Sequence, residues 1–132
     1  MPARPPRLLR TIVIEDDDAL RRAFLEALTA RGHVTIGLNR FDRPGAADIP
    51  RADVWIVDHT LPGRLGTEIV RLLRSPASRS RTALVLAVSA DPRVERDFLA
   101  AGADRFIAKP YGLHALLDAI DATTAEAAVG AG

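Results

Sequence analysis

The sequence predicts an open α/β fold, a doubly wound sheet of five parallel strands forming one domain. Two observations carry that expectation. Short β-branched apolar runs alternate along the chain with segments of helical period, and each run stops at a polar turn. No internal repeat or second domain is visible in the 132 residues.

The elements follow in order. Thr11 to Ile14 suits a strand buried on both faces, and it stops at Glu15-Asp16-Asp17-Asp18. Leu20, Ala23, Phe24, Ala27 and Leu28 then recur at spacings of three and four, with an Asp as N-cap and Gly32 as stop, which spells a helix. Val34 to Leu38 is the second strand. Pro44, Gly45 and Pro50 interrupt the segment FDRPGAADIP, so the second crossover holds a turn or two of helix at most. Val54 to Val57 is the third strand, followed by a helix over Thr67 to Arg74 with Ile69, Val70, Leu72 and Leu73. Ala83 to Val88 is the fourth. Asp91 and Pro92 form an N-cap and first-turn pair for a helix that ends at Ala101 before Gly102. Arg105 to Ala108 is the fifth strand, and about Gly112 to Thr124 the last helix, with Leu113, Leu116, Leu117 and Ile120 on one face. Residues 1–8 and 125–132 read as flexible ends of a domain spanning 9–124.

Composition excludes several functions. With no cysteine there is no disulfide framework, zinc–thiolate site or thiol nucleophile. Eighteen basic residues against 17 acidic ones supply no general drive toward nucleic acid or an anionic membrane. The basic start MPARPPR is not followed by an apolar signal core, and the apolar runs are far short of a membrane span, which reads as a cytoplasmic protein. Lys109 is the single lysine among the 18 basic residues.

In doubly wound sheets ligands bind outside the carboxyl ends of the strands. Glu15 and Asp16 follow the first strand, Asp58, His59 and Thr60 the third, Ser89 the fourth, and Lys109 the fifth. An acidic run at such a turn ordinarily caps the next helix, and Asp17 and Asp18 need no other account. Carboxylates brought together resist joint ionisation unless a cation compensates, which suggests Mg²⁺ held directly by Asp16 and Asp58 and through a water by Glu15. Asp58, alone at the end of the central strand, is a candidate phosphoryl acceptor. Lys109 and Ser89 then supply the cation and the short donor that a transferring phosphoryl group calls for.

Four motifs, IVIEDD, VWIVDHTLPGRLG, LAVSAD and FIAKPY, make the chain resemble the receiver domains of bacterial two-component response regulators from about Leu9 to Ile120. The resemblance implies a flavodoxin-like (βα)5 receiver fold with a shortened second helix. It further implies Asp58 as phosphoacceptor, Glu15 and Asp16 as the metal-binding pair, Thr60 as a backbone carbonyl ligand, Ser89 as switch hydroxyl and Lys109 as phosphate-pairing ammonium, with a cis peptide at Lys109-Pro110. A histidine kinase or histidine phosphotransfer protein would be the donor, and Ser89 and Phe106 would relay the change to a face formed by the fourth crossover helix, the fifth strand and the last helix. Phe106 is also explained as a core aromatic, and where the family's usual switch residue is Tyr, its ring cannot make a phenolic hydrogen bond.

His59 is read as a packing or surface residue rather than a general base. The chain is not expected to be an enzyme beyond its own phosphorylation and dephosphorylation. The signal would pass to an unknown downstream protein, with a homodimer through the face of Arg93, Arg96 and Arg105 as a further expectation. Two other readings compete. A haloacid-dehalogenase-like phosphatase shares the strand-end Asp, but requires a second Asp where Thr60 stands. A receiver-like interaction module working without phosphorylation would not need the complete acidic site.

Overall fold

The computed structural model describes residues 9–42, 45–109 and 115–122. Five parallel strands, β1 (Arg10–Ile14), β2 (Val34–Leu38), β3 (Val54–Asp58), β4 (Leu84–Ser89) and β5 (Arg105–Ala108), lie in the order β2-β1-β3-β4-β5. Helix α1 spans Asp18–Ala30, α2 Gly66–Leu73, α3 Glu95–Ala101, and α4 residues 115–122. The predicted doubly wound, flavodoxin-like architecture is therefore observed, and Asp58 ends the central strand.

Side-chain alternation sorts the strands between two cores. Ile12, Ile14, Trp55, Val57, Val85 and Ala87 face α2 and α3, whose Ile69, Val70, Leu73 and Phe98 complete one layer. Val13, Val54, Ile56, Leu86 and Val88 face Phe24 and Leu28 of α1 and Leu116, Leu117 and Ile120 of α4. Trp55, Phe24 and Phe98 are each at most 1% exposed, and burial of such a side chain stabilises by roughly 1.5–3 kcal/mol. These apolar layers hold the strand ends in place.

Local chemistry sets the boundaries. Asp17 caps α1 by accepting from the Leu20 N–H at 3.0 Å. Asp91 accepts from the Arg93 N–H at 2.9 Å, but the helix predicted from Pro92 opens as a 3₁₀ turn, Pro92–Val94, before α3 begins. Gly102 ends α3 with φ +118°, a left-handed position that disfavours side chains.

The second crossover contains only a 3₁₀ turn, Ala46–Asp48. Phe41 and Ile49 are buried there, and Phe41 meets Trp55 edge-on at 6.4 Å, so single side chains do the covering that a helix would do. On the edge strand β2, Val34 and Ile36 stay 57% and 46% exposed.

At the opposite end of the sheet from Asp58, one guanidinium ties three segments. Arg74 donates to the carbonyls of Gly102 (2.9 Å), Arg81 (2.9 Å) and Ala83 (2.7 Å) and to the Asp104 carboxylate (2.9 Å). Asp104 also accepts from the Val85 N–H at 2.8 Å, which fixes the start of β4 beside β5. The cis peptide expected at Lys109-Pro110, the start of the last helix and both chain ends lie outside the described residues.

Candidate functional site

Three strands deliver the predicted cluster to one point. β1 stops at Glu15, which is 1% exposed, and β3 stops at Asp58, 6% exposed, while β5 leads into Lys109. Lys109 Nζ lies 2.7 Å from Glu15 Oε1 and 3.3 Å from Asp58 Oδ1. The Lys109 N–H donates to the Ser89 carbonyl at 2.8 Å, continuing the β4–β5 ladder to the lysine itself.

The cluster is electrostatically strained. Burial raises the Glu15 carboxyl above its ordinary range, and the neighbouring Asp58 adds to this against the pull of Lys109. Asp16, exposed at the rim, is raised by desolvation and by Glu15. Burial works against the Lys109 ammonium, but Glu15 and Asp58 together hold it above the usual lysine range.

Glu15, Asp16 and Asp58 each offer an oxygen within 4.8 Å of the others. Three carboxylates against one ammonium leave an excess of negative charge in a partly desolvated setting. An all-oxygen donor set of that charge fits a hard divalent cation such as Mg²⁺. Glu15 and Asp16 both belong to that set, Glu15 buried and Asp16 exposed.

Both donors described to the Asp58 carboxylate, Lys109 Nζ and the His59 N–H at 2.9 Å, meet Oδ1. Ser89 is buried beside the site, with its Oγ accepting from the Asp91 N–H at 3.1 Å. Among the described residues the Ser89 hydroxyl donates to no acceptor. Thr60 lies opposite Leu65 in a small hairpin, Thr60–Leu61 with Arg64–Leu65.

His59, read from the sequence as a packing or surface residue, packs its ring against the core. Strand alternation puts it on the side of Trp55 and Val57, where its ring stands edge-on to Phe98 at 5.5 Å. Phe106, half-buried against the same core, lies 6.1 Å from Phe98. Arg64 reaches back over the Phe41 ring at 5.6 Å.

Sequence reasoning missed two parts of this arrangement. The Lys109–Glu15 ion pair joins residues 94 positions apart, and no local signal announces it. The hairpin after Asp58 was legible in principle, since Pro62-Gly63 between two short apolar–polar pairs is a turn signal and Gly63 has φ +76°.

Comparison with known proteins agrees with the geometry. The family described as response regulator receiver domain matches residues 11–121. The sensory transduction protein RegX3 of Mycobacterium tuberculosis is 30% identical over 119 residues, covering 84% of this chain and 48% of that protein. The chain thus spans about half the length of that relative. Among solved structures, a CheY-like response regulator receiver domain protein from Methanospirillum hungatei superposes with a TM-score of 0.75 at 22% identity, covering 91% of this chain and 96% of the other. The chemotaxis response regulator CheY4 of Vibrio cholerae gives 0.73 at 20% identity, covering 87% and 98%; both likenesses bear on the fold alone. The matched family spans every strand and the acidic cluster, and the chain belongs to the response regulator receiver domain family.

Proposed function

We propose that this chain is a phosphorylation-activated switch in which Asp58 takes a phosphoryl group from a histidine kinase or a histidine phosphotransfer protein. The observation that carries this reading is the convergence of Glu15, Asp16, Asp58 and the single lysine at the carboxyl ends of β1, β3 and β5. Buried acids in an apolar scaffold cost stability, which points to a site kept for its chemistry.

In the proposed step Asp58 Oδ2 attacks the phosphorus of a phosphoramidate. The O–P bond forms as the P–N bond breaks, and the donor imidazole leaves with the electron pair and takes up a proton. The product is an acyl phosphate on Asp58. Lys109 stands on the Oδ1 side, where its ammonium can pair with a phosphoryl oxygen. Rotation of the Ser89 side chain away from Asp91 lets its hydroxyl donate to another. Glu15, Asp16, Asp58 and the Thr60 carbonyl would hold Mg²⁺, which supplies neutralising charge for the phosphoryl oxygens.

The phosphoryl group then biases Ser89 and Phe106, changing the surface of α3, β5 and α4 that a downstream protein reads. Arg93, Arg96 and Arg105 lie on elements of that face and would contribute to partner or homodimer contacts. The reaction is on the chain's own carboxylate, with no turnover of a separate substrate, and takes place in the cytoplasm. Among the described residues no helix is long and apolar enough to cross a membrane.

The test is incubation with acetyl phosphate and Mg²⁺ followed by intact-mass measurement. Wild type gains one phosphoryl group and Asp58→Asn gains none. An unmodified wild-type mass would refute the proposal and favour an interaction module that works without phosphorylation.

A further inference from the structure

The aromatic packing behind Asp58 assigns a role to a residue that touches none of the acidic cluster. We infer that Phe98 is a positioning residue coupling the backbone of the acceptor loop to Phe106 and α3, by a route separate from Ser89. This inference rests on the phosphoacceptor reading of Asp58.

Three contacts define the route. A Cβ placed on Gly66 would lie 2.3 Å from the Asp58 carbonyl oxygen, 2.9 Å from His59 Cα and 2.8 Å from Phe98 Cζ. The tip of the Phe98 ring and the acceptor's own peptide therefore both border the space that Gly66 leaves open. The loop is closed across that space, because the Gly66 N–H donates to the His59 carbonyl at 2.8 Å. The His59 ring meets Phe98 edge-on at 5.5 Å with an interplanar angle of 75°. Phe98 also meets Phe106 at 6.1 Å and 38°.

Phe98 is fully buried. A close-packed interior has little slack, so a displacement at one end of such a stack is passed on rather than absorbed. A phosphoryl group on Asp58 adds bulk and charge to a carboxylate whose neighbouring residue, His59, packs its ring against Phe98. The resulting shift of the Asp58–Gly66 loop pushes on Phe98, which carries α3 and abuts the proposed switch aromatic. His59, one residue past the acceptor, holds the ring from the side. In this arrangement Phe106 responds to two inputs, the Ser89 hydroxyl and the Phe98 ring.

The chain has four phenylalanines, at 24, 41, 98 and 106, so para-fluorophenylalanine labelling gives four resonances that single Phe→Leu substitutions assign. On phosphorylation with acetyl phosphate and Mg²⁺, the Phe106 fluorine signal of the wild type moves. In Phe98→Leu, Asp58 still gains its phosphoryl group by intact mass, but the movement of the Phe106 signal falls by about twofold or more. Phe98→Met, which keeps most of the apolar volume, serves as the second variant and shows the same loss. His59→Phe, which keeps a ring edge-on to Phe98, retains the movement. A full-sized Phe106 response in phosphorylated Phe98→Leu or Phe98→Met overturns the coupling. A wild type that takes up no phosphoryl group overturns the phosphoacceptor reading itself, and the coupling with it.

Discussion

Replacing Lys109 by Met tests how the acidic cluster is held. The ammonium lies 2.7 Å from Glu15 Oε1 and 3.3 Å from Asp58 Oδ1, and Glu15 is 1% exposed. Removing one partner of a fully buried pair costs about 3–5 kcal/mol, and the 21% exposure of the Lys109 side chain lowers this to about 2–3 kcal/mol at pH 7.5. The pH dependence is the sharper signature. Glu15 and Asp16 are raised above their ordinary values, so the native state holds protons that the unfolded chain has released. Stability therefore falls as pH rises from the ordinary carboxyl range through the raised one. Without Lys109 the Glu15 carboxyl is pushed higher still. The loss is complete at neutral pH and shrinks as Glu15 protonates in acid, because a neutral carboxyl needs no cation. Urea unfolding at pH 7.5 and pH 4.5 measures this, with a midpoint about 1–2 M lower than wild type at the higher pH only. The double variant Lys109→Met with Glu15→Gln should recover most of the loss. A deficit equal at both pH values, or unrelieved by Glu15→Gln, would show that Lys109 acts through packing alone and refute the electrostatic account.

Gly66→Ala places a Cβ 2.3 Å from the Asp58 carbonyl oxygen, and relief of that contact needs a movement near 1 Å, so phosphorylation by acetyl phosphate should slow about a hundredfold. A rate within a few-fold of wild type would contradict the close approach. Mg²⁺ at about ten times its dissociation constant should stabilise by ~1.4 kcal/mol, a rise of about 4–6 °C in thermal unfolding. The rise should be lost in Glu15→Gln with Asp16→Asn and shrink toward acid pH, where protons compete for the raised carboxyls. Arg74→Met leaves the Gly102 and Ala83 carbonyls and the Asp104 carboxylate without their guanidinium and should cost about 2–4 kcal/mol in urea unfolding. Phosphoryl uptake by intact mass should stay near wild type, because Arg74 lies at the far end of the sheet.

The strands were legible because each is a short run dominated by apolar and β-branched residues, and five such runs fix a sheet whose carboxyl ends can be read directly. That rule alone brings Glu15, Asp16, Asp58, Ser89 and Lys109 to one edge. Pairing was not legible. Nothing near Glu15 says that it, rather than Asp16, is the acid buried against Lys109, because that depends on how β1 and β5 sit on either side of β3 and β4. The Arg74 clamp was hidden for the same reason, since its acceptors are main-chain carbonyls that any sequence would supply. Residue Phe98 reads as one apolar position of a helix, and its place under Gly66 appears only when α2 and α3 are packed together. Boundaries moved where backbone chemistry outweighed pattern, as at Pro92, which starts a 3₁₀ turn instead of the first turn of α3.

The second crossover bears on colloidal behaviour as well as on architecture. With a 3₁₀ turn where a doubly wound sheet ordinarily carries a helix, Val34 and Ile36 stay exposed on β2, an edge strand of sequence VTIGL without charge or proline. Such an edge offers unpaired peptide groups and apolar side chains together, the combination from which strand-to-strand association between molecules begins. Heating or concentrating the protein should therefore cause loss by aggregation starting at this edge while the Asp58 end is still folded. A charge at position 36 would act as a gatekeeper, extending shelf life with little change in unfolding free energy.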